Sequence, residues 1–176
     1  MRDIPVRRDL NTALWLRHAQ RGFSLIELLI VVAIILIVAA IAIPNLLKAR
    51  QAANESSAVT SVRSISTAQA LYQINYPLIG YGTLVQLAGT EPCNPTYANA
   101  CLIDNSLASG VKSGYIFSVA LTGSNPATNY LVTAVPQVVN STGKRSFCSG
   151  NPASLHQKSD GSAIASNTEC EALPGL

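Results

Sequence analysis

Charged and titratable side chains are scarce in this chain, and they do not form a group that could do chemistry. Only 12% of the 176 residues are charged, and there are two histidines. The acids lack the spacing of a calcium loop. His156 lies in a polar stretch, so we expect it to be a solvated loop residue. The sequence therefore gives no support for a catalytic triad. The sequence therefore predicts no catalytic residue, no metal or cofactor site, and no enzymatic activity.

A basic surface is also lacking once the net charge of +3 is followed along the chain. Before residue 23 there are five arginines and two aspartates, whereas the remaining seven basic and seven acidic residues cancel. A chain that is formally neutral after residue 22 gives no electrostatic support for binding nucleic acid. The basic stretch has another use, because basic residues before an apolar span favour the cytoplasmic side of a membrane.

The chain has one long apolar run, with a single acid at its edge. Sixteen uninterrupted apolar residues extend from Leu28 to Ile43, and 21 residues extend from Phe23 to Ile43. As a helix the longer segment would measure about 31 Å, close to the hydrocarbon thickness of a bilayer. Glu27 lies just inside the apolar edge, where an ionisable group is costly and rare. Glu27 is therefore a candidate functional residue.

The residues around this edge form a specific pattern. They are Gly22, Phe23, Ser24, Leu25, Ile26, Glu27, Leu28 and Leu29, and Pro44 stands 22nd in a chain that would start at Phe23. This string resembles the N-terminus of type IV pilins and of their type II secretion relatives, the pseudopilins. The resemblance implies that residues 1–22 are a cytoplasmic leader. A prepilin peptidase would cut between Gly22 and Phe23 and methylate the new amino group of Phe23.

The resemblance also implies a function as the structural subunit of a type IV pilus filament. The subunit would be held in the inner membrane by one span, residues 23–43, with its C-terminus outside the cytoplasm. It would then be extracted into an extracellular pilus. Its partners would be identical or homologous pilin subunits, the prepilin peptidase, an inner-membrane assembly platform and an outer-membrane secretin. Glu27 would neutralise the charged amino terminus, here that of Phe23, of a neighbouring subunit.

Three other interpretations of the N-terminus stay open. A pseudopilin of a type II secretion system is the near alternative, although the acids lack the calcium-loop spacing of the major pseudopilins. A signal-anchored surface binding protein would need only the span. An ordinary secretory signal is suggested by Ala40 and Ala42, which form an A-x-A before Ile43, but such a signal gives no reason for Glu27.

The apolar helix is expected to continue past Pro44 into an amphipathic segment, residues 44–76. Pro44 removes a backbone donor and should kink the helix locally. Beyond it, spacings of three and four residues form one apolar stripe: Ala58, Val62, Ile65, Ala68 and Tyr72. The stripe needs a partner surface, whereas four polar residues are expected to stay solvated: Arg50, Glu55, Arg63 and Gln69. Tyr76 before Pro77 should end the helix.

The rest of the chain predicts a connecting loop and a small antiparallel sheet. Residues 77–111 contain many glycines and prolines and read as a loop. Alternating apolar residues over 115–121 and 130–135 indicate a hairpin, with a third short strand near 145–148 and a possible fourth after Asp160-Gly161. A long helix packed on three to four antiparallel strands within residues 112–176 is an α+β fold, the ladle that the resemblance also implies.

Four cysteines follow the apolar run and indicate a compartment that permits disulfides. Three pairings are possible, and their grouping in two local pairs favours Cys93 with Cys101 and Cys148 with Cys170. Such bridges close loops of about 9 and 23 residues and would contribute roughly 2.6 and 3.4 kcal/mol. Zinc is the rival interpretation, but neither pair has the short spacing of a zinc knuckle. The resemblance supports disulfides, because many pilins close a C-terminal loop in this way.

Overall fold

The computed structural model describes residues 22–90, 92–123 and 126–176, so the predicted leader lies outside the described residues apart from Gly22. By its internal contacts the chain divides into two units, Met1–Ala40 and Ile41–Leu176. The second, which we call the head unit, holds the sheet and the buried core of the described residues.

One helix, α1, covers Leu25–Asn75 and passes through Pro44 without interruption. Apart from Pro44 this segment has no proline and no glycine, so little in its composition opposes a helix. The helix ends as the Tyr76-Pro77 pair predicts. The predicted apolar stripe is confirmed, because its five members are buried: Ala58, Val62, Ile65, Ala68 and Tyr72. A local kink at Pro44 stays a prediction.

Five antiparallel strands form one sheet in the order β1-β2-β3-β4-β5. Their bounds are Val111–Lys112, Tyr115–Thr122, Asn129–Pro136, Ser146–Gly150 and Leu155–Lys158. The predicted α+β class is confirmed, with more strands than expected because the two-residue β1 pairs with β2. β1 begins at the last residue of the segment that was expected to be a loop. Along β2 the predicted alternation is also confirmed, since Tyr115 and Phe117 are buried and Ile116 and Ser118 are exposed.

The position of the last strand was predicted wrongly. β5 comes before Asp160-Gly161, not after it, and pairs with β4. The reason is that these two residues turn the chain away from the strand. The Asp160 carboxylate accepts a hydrogen bond from the backbone N–H of Ser162 at 2.9 Å, and Gly161 has a φ of +71°. In place of a strand after this turn, the structure has a short helix, α4, at Asn167–Glu171.

His156 is a second correction, because it lies in β5 and not in a solvated loop. Its ring is half-buried. Nδ1 lies 2.8 Å from the carbonyl oxygen of Leu173, and Nε2 lies 2.9 Å from the hydroxyl of Ser154. Both ring nitrogens therefore have partners within the C-terminal part of the chain, which is a structural role.

The centre of the sheet is covered on both faces, which explains the nearly continuous burial of β3 and β4. On one face, Val132 and Phe147 join the stripe of α1 in the main core. On the other face, a smaller cluster forms under the C-terminal segment: Leu131, Cys148, Ile164 and Cys170. The structure joins Cys148 to Cys170 across a Cα distance of 6.0 Å, so a disulfide fastens α4 to β4.

Residues 77–111 connect α1 to the sheet and contain two four-residue helices, α2 at Leu84–Leu87 and α3 at Asn105–Ala108. A disulfide between Cys93 and Cys101 closes part of this segment. Gln69 was expected to be solvated, but it is fully buried against the segment. Its amide nitrogen donates to the carbonyl of Gly82 at 2.6 Å, and its oxygen accepts from the Gly82 N–H at 2.9 Å. Gln69 is buried because it satisfies both backbone groups of Gly82, which would otherwise lack partners.

Candidate assembly site

The predicted cleavage point between Gly22 and Phe23 lies just before α1, and both residues are exposed. The Phe23 side chain is 82% exposed. A Cβ added to Gly22 would have no heavy atom within 4 Å, and the residue is not in the left-handed backbone region. The structure of the described residues therefore makes no demand for glycine at position 22.

Glu27 lies in the first turn of α1 and is exposed. The carbonyl of Ser24 starts the helix by accepting hydrogen bonds from the N–H groups of Glu27 and Leu28, at 3.1 and 3.2 Å. A carboxylate at this end of a helix is stabilised by the helix dipole by about 0.3–1 kcal/mol. Among the described residues no ion pair includes Glu27. Its carboxylate is therefore exposed and has no cationic partner among those residues.

The helix that follows Glu27 is apolar on all sides. The large apolar side chains between Leu28 and Ile43 are between 45% and 65% exposed. In the part of the chain that the structure describes, α1 is the one helix long and apolar enough to cross a membrane, by length and composition alone. A helix that is apolar all round must be covered by lipid or by other apolar helices. The site therefore combines an all-apolar helix with one carboxylate at its edge.

An ion pair that the sequence pattern missed fastens α1 to the sheet within the head unit. Glu55 was expected to be solvated, but its side chain is only 11% exposed, against 39% for Arg145. Arg145 donates to Glu55 Oε2 from Nη2 at 2.6 Å and from Nε at 2.9 Å. The backbone N–H groups of Lys144 and Arg145 donate to Oε1 at 2.8 and 3.2 Å. Four donors thus satisfy a carboxylate that the helical pattern alone predicted to be exposed to solvent.

These donors also lower the pKa of the Glu55 carboxyl. Burial by itself would raise the pKa of this carboxyl, but the N–H of Lys144 and the Arg145 guanidinium outweigh burial and hold the pKa below its ordinary value of 4.5. A carboxyl whose pKa is lower in the folded state than in the unfolded chain stabilises the fold. This contribution is complete at pH values above the unfolded pKa. That contribution is lost as the pH falls through the folded pKa. The ion pair is therefore an acid-sensitive link between α1 and the start of β4.

Glu55→Gln is expected to lower the free energy of unfolding by about 2–3 kcal/mol, because Arg145 would stay half-buried without its partner. Arg145 is partly exposed, so water replaces some of the lost interaction and the loss stays below that of a fully buried pair. Denaturant unfolding of the full chain in detergent, at neutral pH and well below pH 4.5, measures the effect. The stability difference between the two proteins should shrink in acid.

Glu171→Gln is the matched control, because Glu171 is exposed and belongs to no ion pair of the described residues. It should change the free energy of unfolding little at either pH. If Glu55→Gln and Glu171→Gln unfold alike at neutral pH, the ion pair contributes nothing and the prediction is wrong.

Comparison with known proteins identifies relatives of this N-terminal arrangement. A family profile described as "Prokaryotic N-terminal methylation motif" matches residues 17–43. The chain is similar to the type IV wide pilus major component PilA4 of Thermus thermophilus, with 37% identity over 105 residues, 57% of this chain and 80% of the relative. It is also similar to the type IV major pilin protein PilA of Myxococcus xanthus, with 57% identity over 49 residues, 28% of this chain and 22% of the relative.

A third relative comes from a secretion system. The type II secretion system core protein G of Vibrio cholerae is 34% identical over 83 residues, 46% of this chain and 56% of the relative. No solved structure matches the chain. The chain thus spans about half of core protein G and about a fifth of PilA, but most of PilA4. With 37% identity over four fifths of PilA4, the chain belongs to the type IV pilin family.

Proposed function

We propose that this chain is the structural subunit of a type IV pilus, made as a membrane-anchored prepilin and polymerised through the apolar part of α1. The observation that best supports this is an exposed, all-apolar helix with one carboxylate, Glu27, that has no ion-pair partner among the described residues. A bilayer or a bundle of identical helices covers the apolar side chains equally well. Only the carboxylate then needs a specific partner.

Cleavage after Gly22 would create that partner. The new amino terminus of Phe23 is a cation, and methylation of an amine keeps its charge. In a bundle of apolar helices, the Phe23 ammonium of one subunit would pair with Glu27 of its neighbour. A pair in such a low-dielectric site is strong once formed and costly when one member is missing. The pair would therefore favour the one helix register in which both charges meet.

The rest of the assembly pathway follows from the same proposal. The prepilin peptidase would process the subunit in the inner membrane, and an assembly platform there would extract it. The filament would leave the cell through an outer-membrane secretin. The two disulfides, Cys93–Cys101 and Cys148–Cys170, suit a head unit that folds outside the cytoplasm. A pilus is favoured over the pseudopilus alternative because the similarity covers 80% of PilA4 but 56% of core protein G.

Filaments sheared from the native host test this proposal. Electron microscopy should show pili, and their main protein should have the mass of residues 23–176 plus one methyl group, less the hydrogens lost in two disulfides. A native chain that starts at Ile43 would instead identify an ordinary secretory signal. A processed chain that is missing from surface filaments and whose loss stops protein secretion would identify a pseudopilin.

A further inference from the structure

Beyond its apolar run, α1 carries two cations before it carries any acid. Leu46 and Leu47 are still apolar and are 68% and 55% exposed. Lys48 and Arg50 follow, both exposed, and no ion pair of the described residues includes either. No acidic residue occurs between Glu27 and Glu55, and Glu55 is already paired with Arg145. This stretch of α1 is therefore positively charged.

Arg50 opens onto a cleft of about 420 Å³ in the head unit. The cleft lies between α1 and two loops of the sheet, and its lining includes Leu47, Asn54, Ser113, Gln137 and Ser141. None of its lining residues is acidic. It thus has an apolar side chain at one position, a guanidinium at another, and neutral hydrogen-bonding groups around them.

Hydrogen bonds between α1 and the loops fix the walls of this cleft. The Asn54 amide donates to the carbonyl of Thr142 at 2.8 Å, and Ser57 donates to the hydroxyl of Ser113 at 3.0 Å. The Gln51 amide also donates to the carbonyl of Asn140. Because these contacts hold both loops to the helix, the cleft is formed before any ligand binds.

The cleft lies at the position along α1 where the lipid headgroups of a membrane would be. Leu47 and Arg50 come four and seven residues after Ile43, which corresponds to about 6 and 10 Å of helix rise. The headgroup layer on each side of a bilayer is about 5–8 Å thick, so Leu47 lies within its depth. Long side chains of a helix lean towards its N-terminal end, so the Arg50 guanidinium can reach back into the layer. With the apolar run in the hydrocarbon, Leu47 lies beside the glycerol region and Arg50 beside the phosphates. A guanidinium binds a phosphate through two parallel N–H donors.

We propose that this cleft binds the phosphate of an anionic phospholipid in the outer leaflet of the inner membrane. The inference rests on the membrane-anchored stage of the proposed function. Leu47 contacts the glycerol and upper acyl carbons, Arg50 pairs with the phosphate, and the neutral side chains of the cleft hydrogen-bond the headgroup. The bound lipid fixes the depth and rotation of the head unit at the membrane until the subunit is extracted.

Native mass spectrometry of the full chain released from nanodiscs tests this site. The nanodiscs contain phosphatidylcholine with a one-quarter share of phosphatidylglycerol. The ratio of phosphatidylglycerol to phosphatidylcholine among the retained lipids is expected to be about fivefold higher than in the nanodisc, which is the enrichment that one basic residue at an anionic site would give. Arg50→Gln should bring this enrichment close to one. Arg63→Gln is the matched control, since Arg63 is another exposed arginine of α1 outside this cleft, and it should keep the enrichment.

Each other outcome overturns a defined part of the proposal. A wild-type chain that inserts but retains both lipids in proportion shows that the cleft does not select an anion. An enrichment that survives Arg50→Gln places the lipid elsewhere. Displacement of the lipid by millimolar inorganic phosphate shows a site for a soluble anion. A chain that does not enter the nanodiscs overturns the membrane-anchored stage itself, and with it this inference.

Discussion

Glu27→Ala is expected to leave the subunit in the membrane, at normal or higher levels, while pilus filaments become scarce. Removing a carboxylate lowers the cost of placing α1 in the bilayer. In the filament, however, the Phe23 ammonium of a neighbour would lose its partner and stay buried as an uncompensated charge, at a cost of about 3–5 kcal/mol. Filament yield from sheared cells, divided by the amount of subunit in the membrane, measures the effect.

The size of this effect separates assembly from helix stability. As a residue in the first turn of α1, Glu27 contributes only about 0.3–1 kcal/mol through the helix dipole. A loss of that size would shorten the helix slightly and would not remove filaments. Glu27→Gln distinguishes the two explanations further, because it keeps the shape of the side chain but cannot neutralise an ammonium. It should fail to assemble much as Glu27→Ala does.

A matched control comes from the head unit, where Glu171 is exposed and belongs to no ion pair of the described residues. Glu171→Ala removes the same charge from the chain and should leave the filament yield unchanged. Normal yield from Glu27→Ala, at equal subunit levels in the membrane, would defeat the assembly role of this carboxylate. The α+β fold would be unaffected by that result.

The elements that could be predicted from the sequence are those that local periodicity determines. The apolar stripe of α1 repeats at the spacing of a helix, and buried and exposed residues alternate along the first part of β2. The N-terminal candidates could likewise be found without a structure, because Gly22, Phe23 and Glu27 stand within six residues of one another. In each case the evidence lies within one short segment of the chain.

The buried polar residues could not be predicted, because their partners are distant in the sequence. Because Glu55 and Gln69 are polar residues of an amphipathic helix, the sequence pattern predicts that both are exposed to solvent. Nothing nearby in the sequence indicates that they are buried. Glu55 meets Arg145, 90 residues away, and Gln69 meets Gly82, 13 residues away. Each is buried because folding brings it to donors or acceptors that need it. The misplaced fourth strand has a similar cause, since β5 is half-buried through its pairing with β4 and its hydrogen bonds to the C-terminal segment.

Gly22→Val is expected to abolish processing and leave the whole chain in the membrane as an uncut precursor. The reason lies outside the fold, since a side chain at position 22 would meet no heavy atom of the described residues within 4 Å. Glycine would then be required by the proposed peptidase, whose site around the cut would leave no room for a branched side chain. Intact mass of the membrane fraction measures the change, with the full precursor replacing the chain that starts at Phe23.

A glycine that the fold does require provides the opposite control. Gly80 has a φ of +84°, and a Cβ added there would lie 2.8 Å from the backbone nitrogen of Ala127. Gly80→Ala should therefore lower the free energy of unfolding by about 1 kcal/mol or more and leave cleavage after Gly22 intact. Gly22→Val should do the reverse, blocking cleavage without changing the unfolding of the head unit. If the Gly22→Val precursor is cut normally, the proposed peptidase site is wrong; if the variant also unfolds more easily, Gly22 has a structural role that its surroundings do not show.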